Sequence, residues 1–114
     1  MQKKNQIEFL YCNLFGGQDE LIFDGSSMAI SNQGKLIHKA LSFKEENKII
    51  NYPLRSKKIR KIPPHNIDSI FNALVLGVKD YVTKNNFTKV VIGISGGIDS
   101  PLVSAISKVA LGGK

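Results

Sequence analysis

Val90-Val91-Ile92-Gly93-Ile94-Ser95-Gly96-Gly97-Ile98-Asp99-Ser100 runs from apolar, β-branched residues into a short glycine-rich turn flanked by hydroxyls, and then into a helical pattern. The spacing predicts a strand, a loop and a helix in that order. Val90, Val91, Ile92 and Ile94 suit a strand covered on both faces, as in a parallel sheet, where polar and apolar residues no longer alternate. Gly96 and Gly97 would let the backbone turn sharply and approach a ligand closely, since no Cβ stands in the way. The hydroxyls of Ser95 and Ser100 would share a small space with the free N–H groups of the next helix's first turn, where the helix dipole adds partial positive charge. That chemistry suits a phosphate.

The loop is not of the Walker type, which needs four residues between its glycines and a Lys-Ser/Thr pair after them. No lysine follows here, and Asp99 stands in the turn. A carboxylate would repel a bare phosphate, so a cation between them is implied, and Mg²⁺ bridging Asp99 to phosphate oxygens resolves the conflict. A plain Gly-Gly turn with an aspartate helix cap is the simpler alternative; the strand before and the amphipathic helix after favour the nucleotide. The pattern Ser95-Gly96-Gly97-Ile98-Asp99-Ser100 resembles the signature of the pyrophosphatase-loop ATP enzymes, which adenylate a substrate while the loop holds the departing pyrophosphate.

The chain has 114 residues, the size of one small domain. No 18-residue apolar run could span a bilayer, and Met1 to Gln6 lacks the apolar core of a secretory signal. A cytoplasmic location without membrane contact is expected. One cysteine, Cys12, cannot form an internal disulfide, in keeping with a reducing compartment. The net charge of +7 is local: five cations stand between Arg55 and Lys61, and without them the charge falls to +2. Their neighbours Pro53, Pro63 and Pro64 disfavour helix and central strand, so a solvated linker is expected. No aromatic residue is interleaved there to stack on bases, which speaks against nucleic acid.

From the start of the chain, Ile7 to Cys12 reads as a strand, ending before a turn at Gly16-Gly17. Leu21-Ile22-Phe23 follows, then a hairpin of Met28-Ala29-Ile30 and Leu36-Ile37 around Gly34, so the first forty-odd residues are expected to be a β-meander. Beyond Pro64, Ile67, Ile70, Phe71, Leu74, Val75, Val78, Tyr81 and Val82 recur at helical spacing, with Asn66 as N-cap, Asp68 at the positive end and Lys84 at the close. That face is expected to pack on a sheet. A second helix should bury Leu102, Val103, Ile106, Val109 and Ala110 and stop at Gly112-Gly113. Pro101 fits a first turn but takes away an N–H that a phosphate would want.

Three stretches together resemble one family. Tyr11 to Ser27, with Gly16-Gly17-Gln18-Asp19-Glu20-Leu21, is similar to the late part of the nitrilase-like glutaminase domain of glutamine-dependent NAD⁺ synthetases. Ile70 to Val82 is similar to the helix that opens their synthetase domain, and Gly93 to Ser100 to their ATP loop. The resemblance implies an α/β fragment: an N-terminal β-meander edge of a nitrilase-like sandwich (residues 1–47), a basic linker (48–66), and the first helix–strand–loop–helix of a doubly wound pyrophosphatase-loop domain of adenine nucleotide alpha hydrolase type (67–114). Neither domain would then be complete. It further implies, for the parent enzyme, a Cys–Lys–Glu glutaminase that frees ammonia, and adenylation of deamido-NAD⁺ by MgATP before ammonia displaces AMP. The parent is expected to be a homo-oligomer.

Carried over by position, Gly93, Ile94, Ser95, Gly96, Gly97, Ile98, Asp99 and Ser100 would bind ATP, with Asp99 a Mg²⁺ ligand. No catalytic triad residue carries over. Cys12 is expected to be a small buried hydrophobe rather than a nucleophile, and His38 and His65 stand at neither ligand nor triad spacing. The expectation is a piece of an ATP-dependent amidating ligase that is inactive alone. Two alternatives remain: another pyrophosphatase-loop ligase, or a non-catalytic chain that binds an acidic partner through Arg55 to Lys61.

Overall fold

The computed structural model describes residues 7–55 and 66–112. Of the basic stretch only Arg55 is inside that range; Lys57, Lys58, Arg60 and Lys61, with Pro63, Pro64 and His65, lie outside the described residues. Five strands precede two helices: β1 (Phe9–Tyr11), β2 (Phe15–Gln18), β3 (Leu21–Asp24), β4 (Met28–Ile30), β5 (Leu36–Lys39), α1 (Ile67–Lys84) and α2 (Asp99–Leu111). The described residues fall into two units, one of 7–15 and 24–55, the other of 16–23 and 66–112.

In the first unit β1, β4 and β5 form an antiparallel sheet in the order β1-β4-β5. The expected hairpin forms: Met28 pairs with Lys39, Ala29 with His38 and Ile30 with Leu36, with an irregularity between Ala29 and Ile30. Gly34 supplies the positive φ its turn needs (+75°), and the Ser31 hydroxyl accepts from the N–H groups of Gln33 and Lys35 at 3.4 and 3.3 Å. Ala29, fully covered, forms a small core with Leu36 and Leu54. Glu8 ties in the last of these, its Oε1 accepting from the Leu54 N–H at 3.1 Å.

The meander is corrected in one respect. β1 pairs with β4 (Phe9 with Ile30, Tyr11 with Met28), and the intervening β2–β3 hairpin makes a sheet of its own. Where the chain leaves that hairpin, Gly25 and Ser26 take positive φ and a polar knot closes the bend. Ser26 donates to Asp24 Oδ2 at 2.7 Å and lies 2.7 Å from the Ser42 hydroxyl, while Asn13 donates to Asp24 Oδ1 at 3.2 Å. Partners of this kind are what buried polar groups need. Cys12 is exposed, not buried as expected, because it follows an edge strand all of whose residues are exposed.

In the second unit the predicted cap is present: Asn66 Oδ1 accepts from the N–H and the hydroxyl of Ser69, each at 3.0 Å. Asn86 (φ +58°) ends α1, and the Phe87 N–H returns to the Val82 carbonyl at 3.0 Å. α2 stops at Gly112 (φ +69°), whose N–H bonds the Lys108 carbonyl at 3.0 Å. The expected burial is only partly realised. α1 packs on α2, yet α1 buries Leu76 and Val82 while Ile67, Ile70, Phe71, Leu74 and Tyr81 are exposed. In α2, Ile106 and Ser107 are buried while Leu102, Val103 and Val109 are exposed. An apolar stripe is buried only where a second element covers it, and besides α2 the small β2–β3 sheet alone, among the described residues, lies against α1.

Candidate functional site

The loop Gly93 to Ser100 joins an extended segment to α2, with Asp99 and Ser100 as the helix's first two residues. The strand expected over Val90 to Ile94 does not form: the segment is irregular, and Val91 is 96% exposed. Hydrogen-bonded pairing, not β-branched composition, makes a strand, and no described strand lies beside this one. The expected turn is present as a bend at Gly96, Gly97 and Ile98. The positive-φ glycines are Gly16, Gly25, Gly34 and Gly112, so Gly93, Gly96 and Gly97 are not there to supply left-handed backbone. A Cβ at Gly93 or Gly96 would meet nothing within 4 Å, and one at Gly97 would touch only the Ser95 hydroxyl at 3.7 Å. The backbone here is open to an incoming group.

The two hydroxyls picked out by their spacing do come together. Ser100 Oγ accepts from the Ser95 N–H at 2.9 Å, donates to the Ser95 carbonyl at 3.2 Å, and lies 3.1 Å from Ser95 Oγ. This cinches the loop into a ring of six residues. Ser100 is occupied by those bonds, so Ser95 Oγ is the hydroxyl freer to re-aim toward a ligand. α2 has no side-chain cap at Ile98, which leaves its first-turn N–H groups without a side-chain partner, and Pro101 in that turn has none to offer. Asp99 is exposed at the same end. Hydroxyls, free N–H groups and one carboxylate are hard oxygen and nitrogen partners of the sort that a phosphate and Mg²⁺ accept, so the donor set fits both. Among the described residues no group of three or more His, Cys, Asp or Glu side chains could hold a metal ion unaided.

A second cluster escaped the sequence reading. The expected turn at Gly16-Gly17 is in fact strand β2, and the bend falls at Asp19-Glu20, where Asp19 takes φ +51°. The hairpin's glycines lie against α1. Gly17 donates its N–H to Asp80 Oδ2 at 2.8 Å, and Lys84 Nζ donates to the Gly17 carbonyl at 2.6 Å while pairing with Asp80 at 3.1 Å. Burial alone would push the Asp80 carboxyl up, but the Gly17 N–H, Lys84 and Lys79 together hold it below its ordinary value. The signal that could have revealed this contact is Gly77, Asp80 and Lys84 at helical spacing, one small residue and one ion pair on a single face.

The family described as NAD synthase matches residues 70–114. Two relatives match the chain nearly end to end: the glutamine-dependent NAD(+) synthetase of Synechocystis is 43% identical over 96% of this chain, and that of Acinetobacter baylyi 40% identical over 98%. The chain is a homologue of a segment of the glutamine-dependent NAD(+) synthetases. It spans about a fifth (21%) of the length of those two relatives. A solved structure of the glutamine-dependent NAD+ synthetase from Acinetobacter baumannii, in complex with ADP, superposes with a TM-score of 0.80 at 37% identity, over 94% of this chain and 21% of that one. NAD synthetase homology therefore extends through both units, including the hairpin and the loop.

Proposed function

We propose that Gly93 to Ser100 is the adenine-nucleotide loop of an NAD synthetase segment, serving ATP-dependent amidation of deamido-NAD⁺ with ammonia from glutamine. The observation that carries this reading is the 43% identity to a glutamine-dependent NAD(+) synthetase over 96% of the chain. The ADP complex of the Acinetobacter baumannii relative supports the nucleotide class. In this reading Ser95 and the open backbone at Gly93, Gly96 and Gly97 receive the departing pyrophosphate, and the ring closed by Ser100 keeps the receiving groups at one spacing. Asp99 would hold Mg²⁺, which would supply positive charge against the phosphates. Pro101 lowers affinity by leaving one donor out of the helix's first turn.

The N-terminal unit is read as the late part of a nitrilase-like glutaminase domain, and residues 67–114 as the opening of the synthetase domain. Glutamine, ammonia and deamido-NAD⁺ are substrates of the whole enzyme, a cytoplasmic homo-oligomer; no glutaminase triad is assigned here, and this chain alone is inactive. Calorimetry tests the loop: the 114-residue chain is expected to bind MgATP, and Gly97→Val and Asp99→Ala to abolish the heat. Absence of binding by the parent chain, or unchanged binding by both variants, overturns the assignment. NAD⁺ formed by the purified chain from deamido-NAD⁺, MgATP and ammonia would overturn its inactivity.

A further inference from the structure

We propose that α1 carries a docking site for a Gly-Gly strand on the face formed by Gly77, Asp80 and Lys84, and that its occupant is this chain's own β2–β3 hairpin, held by the N–H and the carbonyl of one residue, Gly17. Asp80 takes the N–H of Gly17 at 2.8 Å and Lys84 takes its carbonyl at 2.6 Å, while the two side chains pair with each other at 3.1 Å. The site therefore reads backbone, not side chain. It also demands the absence of side chains: a Cβ on Gly16 would fall 2.9 Å from Asp80 Oδ2, and one on Gly17 would fall 3.3 Å from Asp80 Cβ and 3.5 Å from the Gly77 Cα. On the helix side, a Cβ on Gly77 would fall 2.8 Å from Ile22 Cδ1 of β3. Three glycines on two elements remove the bulk that would hold the elements apart, and the ion pair supplies the directional grip.

Burial agrees. Gly16 and Gly17 are buried at the middle of β2, and Asp80, whose side chain is 17% exposed, is far better covered than Lys84 at 59%. Residues 16–23 group with the helices and not with the residues that flank them in sequence. Asp80 is the anchor, and Lys84 closes over it from the solvent side. Both are positioning residues that set where the hairpin lies, and this role does not depend on nucleotide binding by the loop.

Amide hydrogen exchange on the full 114-residue chain, read residue by residue by NMR at about pH 6, tests the site. A hydrogen bond to a charged group contributes roughly 1.5–3 kcal/mol, so Asp80→Ala is expected to speed exchange at Gly17 by about 10- to 100-fold while the α1 interior around Leu76 keeps its protection. Lys84→Met, at an exposed position that the fold tolerates, is expected to speed Gly17 exchange several-fold, and Lys84→Arg to restore it. Unchanged Gly17 exchange in Asp80→Ala overturns the proposal. So does loss of helix and hairpin together in Asp80→Ala, since the hairpin would then be part of the fold's core and not a docked element. Altered exchange in Asp80→Ala with none in Lys84→Met would overturn the two-sided grip.

Discussion

Gly16 and Gly34 both hold positive φ, yet alanine at each is expected to fail for different reasons. At Gly34 nothing lies within 4 Å of a Cβ, so Gly34→Ala carries only backbone strain, about 1–2 kcal/mol. Gly16→Ala adds a 2.9 Å clash with Asp80 Oδ2 to strain at φ +128° and should lower the urea midpoint further; equal midpoints would show that the hairpin yields freely. Asp80 also sets an acid limit. Its folded value lies below the ordinary aspartate value of about 3.9, so the stability it contributes is present above that pH and is lost as pH falls through the lower folded value. Gly17 exchange, corrected for the intrinsic rate, should therefore be flat from about pH 7 to 5 and rise below about 4 in the parent, but not in Asp80→Asn. Residues with local jobs were legible in the sequence: Asn66 as a cap, Gly34 as a turn, Gly112 as a stop. Asp80 was not, because what it binds is a peptide group far away in sequence, and a peptide group leaves no mark on composition.

At the scale of elements, the helices were readable because periodicity and caps are carried within one segment. Asn66→Ala removes two bonds to Ser69 and is expected to cost about 1 kcal/mol, seen as a lower midpoint in far-UV circular dichroism; an unchanged midpoint would mean that packing alone holds the first turn. Strands were harder. The β4–β5 hairpin is a local pair and its turn residues announce it. Val90 to Ile94 has better β-forming residues and forms no strand, since pairing depends on neighbours and not on the segment itself. β2 was hidden for the opposite reason: Gly16-Gly17 reads as a turn unless one knows that a helix lies against it. The loop's residues were picked out from spacing, and in the structure Ser95 and Ser100 lie in contact while Gly96 and Gly97 make the bend without left-handed backbone.

For the molecule as a whole, the exposed apolar side chains of α1 and α2 set its behaviour in solution. Ile70, Leu74, Leu102 and Val109 are among them, large apolar groups left open to solvent on two packed helices. The chain at tens of micromolar is expected to sediment as a concentration-dependent mixture and to bind a hydrophobic dye, and Ile70→Glu with Leu74→Glu should reduce both. A monodisperse monomer with no dye binding would contradict the exposure. The grip of Asp80 on Gly17 has a kinetic side as well. Its partners are 63 residues apart, so the loop it closes is long, whereas the hairpin and each helix need only neighbours a few residues away. Those local pieces should form first and the grip last, leaving the contact absent from the rate-limiting barrier. Loosening it would then hasten the hairpin's release several-fold and leave its redocking rate almost untouched.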